Sequence, residues 1–276
     1  MKIGIAGLGL IGGSLARALA DCGKHEVMGL DRNRSSLLAA KMVGAITDEL
    51  NESNIGECDM IFIALYPQST VEFVETYADK IKKGAIVADC GGVKKTICAS
   101  CEKLAEENGF IFIGAHPMAG TQFSGFSSSR ANLFRNATMI ITPRENTDIR
   151  TLEKFRNVLD DAGFGEINFT TPSEHDKVIA FTSQLPHIIS NAYIKSHTAV
   201  KQKGFSAGSY RDMSRVSKLN EKMWTELFFE NKENLVSEIN FLVERLTEYS
   251  TALKNDDKEG LVALLKEGTD SKKQAK

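Results

Sequence analysis

Met1-Lys2-Ile3-Gly4-Ile5-Ala6-Gly7-Leu8-Gly9-Leu10-Ile11-Gly12-Gly13-Ser14 opens the chain and decides how the rest is read. Residues 2–6 form a short apolar run bounded by glycine, which predicts a buried strand. Gly7-Leu8-Gly9-Leu10-Ile11-Gly12 then spells G-x-G-x-x-G between that strand and a helix predicted over 14–22. Each glycine has a mechanical reason in this setting. Gly7 allows a tight turn, Gly9 lets the backbone approach a pyrophosphate, and Gly12 lets helix and strand pack closely. The motif continues through Leu10 and Ile11 into the helix N-terminus, where free N–H groups and the dipole favour an anion. Asp31 stands 19 residues after Gly12, at the end of a second expected strand over 26–30. A carboxylate there accepts hydrogen bonds from the ribose hydroxyls and repels a 2′-phosphate, so the expected cofactor is NAD rather than NADP. Arg32 and Arg34 follow at once and weaken that preference. The bland alternative, a glycine-rich turn without a ligand, has strand, spacing and acid all against it.

Beyond this unit the alternation continues. Strands are expected over 60–65, 85–89, 110–114 and 138–142, with helices over 33–43, 70–81, 94–108 and 148–162 between them. Such alternation makes βαβ units and a parallel, doubly wound sheet of the Rossmann type. Three strand ends then carry candidate site residues, because ligands bind at the carboxyl ends of such strands. Leu65-Tyr66-Pro67 is expected to close over the cofactor, and an ordinary proline turn reads equally well. Asp89-Cys90-Gly91-Gly92-Val93-Lys94 places two glycines before a helix, which implies close backbone approach or positive φ at Gly91. His116-Pro117-Met118-Ala119-Gly120-Thr121 heads a long loop over 114–136. A histidine in this place is a candidate general base, its pKa lying near working pH.

The chain changes character near residue 170. Residues 1–170 are read as the cofactor domain, 171–268 as an all-α domain and 269–276 as a solvated tail. Ser173 is the expected N-cap of the first of these later helices. The clearest helix, over 233–254, puts Leu235, Ile239, Leu242, Val243, Leu246, Tyr249 and Leu253 on one stripe. That stripe serves either a partner subunit or an intrachain bundle, and a homodimer is the expectation. Ser183-Gln184-Leu185-Pro186-His187 puts a proline inside a helical pattern, which can aim His187. Arg211 and Arg215 stand four residues apart, one helical face, as a pair for a dicarboxylate; a solvated face with Asp212 as their partner is the alternative.

Composition bounds the function. The chain has 276 residues, 42% hydrophobic and 25% charged, with a formal net charge of −2. No basic excess exists for nucleic acid or an anionic membrane, and no apolar run can span a bilayer. Five cysteines do not make a disulfide framework, so a reduced, cytoplasmic chain is expected. Cys98 and Cys101 form C-x-x-C inside a helix without further ligands at zinc spacing; packing is the reading, and no metal is expected.

Taken together, HPMAGT, the SQLPH segment and the YRDMSR…MW segment behind the glycine motif resemble the prephenate/arogenate dehydrogenase family over roughly residues 1–255. The resemblance implies a Rossmann domain followed by a helical dimerisation domain. It implies NAD-dependent oxidative decarboxylation of prephenate to 4-hydroxyphenylpyruvate, with His116 taking the C4 hydroxyl proton. By motif it places Arg215 on a substrate carboxylate, Arg211 at the pocket mouth, and His187, Ser183 and Thr121 on the substrate side. Trp224 reads as pocket wall or packing. Two positions depart from the family's pattern: Gly92 stands where a serine usually orients the catalytic histidine, and Gln184 where a histidine usually stands. Thr121 or a water is expected to replace the missing hydroxyl in part. Neutral Gln122, rather than an acid that would pair with an ammonium, favours prephenate over arogenate. Two other readings stand beside this one: a different β-hydroxyacid-type dehydrogenase, and an NAD-binding regulatory protein with weakened catalysis. Neither a fused ACT-type domain nor a chorismate mutase is expected.

Overall fold

The strands are β1 (Lys2–Ala6), β2 (Glu26–Leu30), β3 (Asp48–Glu49), β4 (Met60–Ile63), β5 (Ile86–Asp89), β6 (Ile111–Pro117), β7 (Thr138–Thr142) and β8 (Glu166–Phe169). In this computed structural model, which describes residues 1–121 and 123–275, they form one sheet in the order β3-β2-β1-β4-β5-β6-β7-β8. Strands β1 to β6 pair in parallel. The crossovers are α1 (Leu10–Asp21), α2 (Arg34–Met42), α3 (Pro67–Tyr77) and α4 (Lys95–Asn108); α5 (Ile149–Asp161) joins β7 to β8. Both faces of the sheet are covered, and β4 shows how. Met60 and Phe62 enter one apolar cluster with Leu15, Leu19 and Phe155, while Ile61 and Ile63 enter the other with Phe73, Val74 and Ile97. Each such side chain, fully buried, contributes roughly 1.5–3 kcal/mol.

The expected all-parallel sheet needs one correction. β7 runs antiparallel to β6, pairing His116 with Ile140 and Ala115 with Ile141. Between them the described residues form only a 3-10 turn at Phe126–Ser128, and without a crossover helix there the chain returns in the opposite direction. β6 also runs to Pro117, so His116 sits in a strand rather than at the head of a loop. β3 and β8 escape the sequence pattern, β3 because it has two residues and β8 because its exposed edge carries little apolar periodicity.

The switch in strand order falls between β1 and β4, where the glycine loop and the Leu65–Pro67 segment lie side by side. Beyond β8 the described chain is helical: α6 (Pro172–Ile179), α7 (Leu185–Tyr193), α8 (Gly208–Ser214), α9 (Glu221–Glu230), α10 (Lys232–Lys254) and α11 (Lys258–Gln274). Thr171, not Ser173, caps α6: its hydroxyl accepts from the Glu174 amide at 3.2 Å, and Pro172 occupies the first turn. The stretch expected as a solvated tail, 269–276, continues α11 and is helical through Gln274; Asp257 caps the start of that helix. No helix among the described residues is long and apolar enough to cross a membrane.

Candidate active site

The glycine loop is built by backbone crowding on two sides and openness on the third. Gly7 has a φ of +89°, and a Cβ there would strike the Ala64 carbonyl. A Cβ on Gly12 would strike the Gly7 carbonyl, whereas nothing lies within 4 Å of the Cβ position on Gly9. Gly9 also caps α1 without any side-chain hydrogen bond. The first backbone bond of the helix runs from Gly13 N to Gly9 O at 3.0 Å. The amides of Leu10, Ile11 and Gly12 therefore have no intrahelical acceptor. Asp31 is anchored by the Leu8 amide (2.8 Å) and the Asn33 amide (2.7 Å), one on each oxygen. Each oxygen keeps a lone pair for a further donor. Glu49 holds Arg34 at 2.6 Å, so of the two arginines after Asp31 only Arg32 lacks an ion pair among the described residues. An open glycine, an uncapped helix start and an anchored carboxylate fit a dinucleotide.

Leu65 packs on this loop, its Cδ2 2.8 Å from the Gly7 Cβ position, and buried Pro67 opens α3. Gly91 is tight, its amide donating to Asp89 Oδ2 at 2.8 Å. Gly92 is not: its Cβ position lies 3.4 Å from Leu227 of α9. Positive φ is used at neither, so the close approach expected of this pair belongs to Gly91 alone.

Behind these glycines runs a buried polar chain. Lys94 and Asp89, both fully buried, form an ion pair, and the second oxygen of Asp89 accepts from the Ala115 amide at 3.1 Å. The amides of Lys94 (2.7 Å) and Lys95 (2.9 Å), at the start of α4, donate to the two oxygens of Asp176 in α6. Negative charge is favourable at a helix N-terminus. His175 Nδ1 lies 2.7 Å from Asp176 Oδ1, and His175 Nε2 lies 2.9 Å from His116 Nδ1. Burial first, then His175 and Lys94, hold His116 well below the usual histidine range, so it is neutral near neutral pH. Burial also lowers His175, against the opposing pull of Asp176. Asn231 donates to the Asp176 carbonyl (2.7 Å) and to Gln184 Oε1 (2.8 Å), while Gln184 Nε2 donates to the Leu227 carbonyl at 3.0 Å. Gln184 is thus buried and tied to α9 and to Asn231 at the α9–α10 junction.

A second group gathers around His187. The π-helical turn Ala180–Gln184 precedes Pro186 in α7 and accommodates the proline without ending the helical run. His187 Nδ1 lies 2.7 Å from the Ser183 carbonyl, and its ring packs on Trp224 with centroids 4.1 Å apart. Burial, with a smaller contribution from Arg215, lowers the His187 pKa. Trp224 and Leu227 stand one helical turn apart in α9, which links this group to Gly92. Arg211 and Arg215 are exposed and have no ion pair among the described residues, so Asp212 is not their partner. Ser183 contributes its carbonyl, and the Thr121 hydroxyl is engaged with the Phe123 backbone at 3.2 Å. Gln122, and the preference inferred from it, lies outside the described residues. Cys98 and Cys101 are buried free thiols, with Cys98 pushed up to about 12 by burial, as packing requires. Among the described residues neither joins a group able to hold a metal.

The sequence reading missed His175, Asp176 and Asn231. A signal existed in α6, where polar His175 and Asp176 share a buried face with Ile179, three and four residues on.

A doubly wound sheet with a dinucleotide-type glycine loop, a neutral histidine three strands along from it and a helical half over its edge define a dinucleotide-dependent dehydrogenase. The comparisons agree. Residues 15–167 match the model of the prephenate dehydrogenase nucleotide-binding domain, and residues 171–267 that of the prephenate dehydrogenase dimerization domain. Prephenate dehydrogenase of Bacillus subtilis is 30% identical, over 96% of this chain and 74% of its own. The structure of Aquifex aeolicus prephenate dehydrogenase in complex with hydroxyphenyl propionate and NAD+ superposes with a TM-score of 0.87 at 27% identity, covering 100% of this chain and 98% of that one. Synechocystis arogenate dehydrogenase superposes with a TM-score of 0.83 at 29% identity, covering 100% of both chains. The chain belongs to the prephenate dehydrogenase family.

Proposed function

We propose that this protein oxidises prephenate with NAD, releasing CO2 and 4-hydroxyphenylpyruvate, and that His116 is the base. The observation that carries this is the position of His116: neutral, at the end of β6, one nitrogen held at 2.9 Å by His175. Gly7, Gly9, Leu10, Ile11, Gly12 and Asp31 would hold NAD, with Leu65, Pro67 and Gly91 along its path. When bound, NAD supplies the hydride acceptor. His116 takes the proton of the C4 hydroxyl as the carbonyl forms, and loss of the ring carboxylate then yields the aromatic ring. A general base in this role contributes about 10²–10⁴-fold. Exposed Arg215 and Arg211, free of ion pairs among the described residues, grip the carboxylates. His187, held against Trp224 by the Ser183 carbonyl, presents a neutral ring to the substrate, and Thr121 borders the same pocket. The Rossmann half spans residues 1–170, and the helical half, from 171 onward, carries the dimer contact.

The matched dimerization model and the exposed apolar residues Val243, Leu246 and Leu253 of α10 support a homodimer. Five free cysteines fit a reducing cytoplasm. The test is NADH formation with prephenate and with arogenate, each with NAD and NADP. Turnover of prephenate with NAD, with 4-hydroxyphenylpyruvate as product, is expected. Faster turnover of arogenate would move the assignment to the amino-acid substrate. His116→Asn should lower kcat by about 100-fold or more while leaving NAD binding intact.

A further inference from the structure

The Lys94 and Lys95 amides donate to the two oxygens of Asp176 at 2.7 and 2.9 Å, and His175 Nδ1 lies 2.7 Å from one of those oxygens. A carboxylate can only accept, so the hydrogen of this contact sits on His175 Nδ1. The lone pair of neutral His175 is then on Nε2. The 2.9 Å contact with His116 in turn requires the proton on His116 Nδ1. What remains on His116 is a bare Nε2, the form a base needs.

We propose that the buried pair His175 and Asp176 sets the tautomer and the orientation of His116, so that its Nε2 is free to take the substrate proton. Both are positioning residues, and the proposal rests on the reading of His116 as base. The pair is rigid for reasons visible in the fold. His175 and Asp176 are 2% exposed, the Asp176 carboxylate is pinned by the first turn of α4, and its carbonyl is pinned by Asn231. The orientation owes nothing to residue 92, which has no side chain. When His116 accepts the proton it becomes a cation hydrogen-bonded to His175, with the Asp176 carboxylate one bond further on. The charged or titratable groups near His116 are His175 on α6 and Lys94 at the start of α4, itself paired with Asp89 of β5; its β7 partner is the apolar Ile140.

The test measures kcat, the KM for NAD and the pH profile of prephenate oxidation for the native enzyme, His175→Leu, His175→Gln and His116→Asn. It adds the ¹⁵N spectra of the five imidazoles of the native protein. His175→Leu, which removes the acceptor, should lower kcat by about 100-fold or more and move the acid limb of the profile, with the KM for NAD unchanged. His175→Gln places an amide oxygen where it can accept from His116 Nδ1 and should recover much of that loss. The native spectrum should show His116 protonated on Nδ1 and bare on Nε2. If His116→Asn is inactive while His175→Leu keeps the native kcat and pH profile, the positioning role is wrong and the base assignment stands. If His116→Asn remains active, the base assignment itself falls. Should His175→Leu fail to fold, the spectrum decides, and a native His116 protonated on Nε2 overturns the proposal.

Discussion

Gly9 and Gly12 separate cofactor binding from folding. A methyl group added at Gly12 meets the Gly7 carbonyl, so the loop itself must move. At Gly9 the same methyl meets nothing, and it projects into the space a pyrophosphate would take. Gly9→Ala should therefore change stability by no more than about 1 kcal/mol, the range of an N-cap substitution. It should weaken NAD about tenfold or more, ~1.4 kcal/mol, which thermal melts and calorimetry measure in parallel. Gly92 behaves differently again, since its Cβ position is in ordinary contact with Leu227 and its φ is not positive. Gly92→Ser should fold with a stability change within about 1 kcal/mol, leaving kcat to report what a hydroxyl at this position adds. Arg215 is exposed and has no ion pair among the described residues, so Arg215→Ala should leave the melting temperature alone. Loss of a charge-assisted contact, about 1.5–3 kcal/mol, should appear as a KM for prephenate raised by roughly 10- to 100-fold.

Elements whose residues are buried on a regular period were legible before the structure. β1, β2 and β7 fall on the residues that alternation predicts, and α10 begins one residue before its predicted start. α1 begins at Leu10 rather than near Ser14, because backbone geometry at Gly9, not side-chain pattern, starts the helix. The glycine loop and Asp31 were readable because each residue type answers a local need. The His175–Asp176 pair offered only its spacing to Ile179 as a hint of burial, and its role was not legible, since its partners are 59 and 82 residues away in sequence. The same limit applied to α10, whose stripe had two possible destinations. In one subunit Leu235 is buried, yet Val243 (56%), Leu246 (58%) and Leu253 (63%) stay exposed, as do Val262 and Leu265 of α11. An apolar face of this kind marks an interaction surface. Leu246→Glu should convert the protein to a monomer by light scattering, because a charge on that face would lose its hydration without a partner. Retention of a dimer by this variant would place the interface elsewhere.

Over the whole molecule, three of the five histidines are held neutral by burial. His116, His175 and His187 all have pKa values lowered from the ordinary 6.5, whereas the unfolded chain protonates them near that value. Between the lowered values and about pH 6.5 the unfolded state therefore binds more protons than the folded one, and stability falls as pH falls through that window. Each histidine that remains neutral contributes a slope of about 1.4 kcal/mol per pH unit. Asp161, which burial raises but which the hydrogen bonds to and the charges of Lys24 and His25 together bring below its ordinary value, adds a loss at still lower pH. Urea midpoints measured from pH 7.5 to 5 should therefore decline steadily below about 6.5. The slope should be shallower in His187→Gln, since that side chain no longer titrates. A midpoint that held constant down to pH 5 would show these rings titrating in the folded protein as they do in the unfolded chain, and the lowering of their pKa values by burial would be wrong.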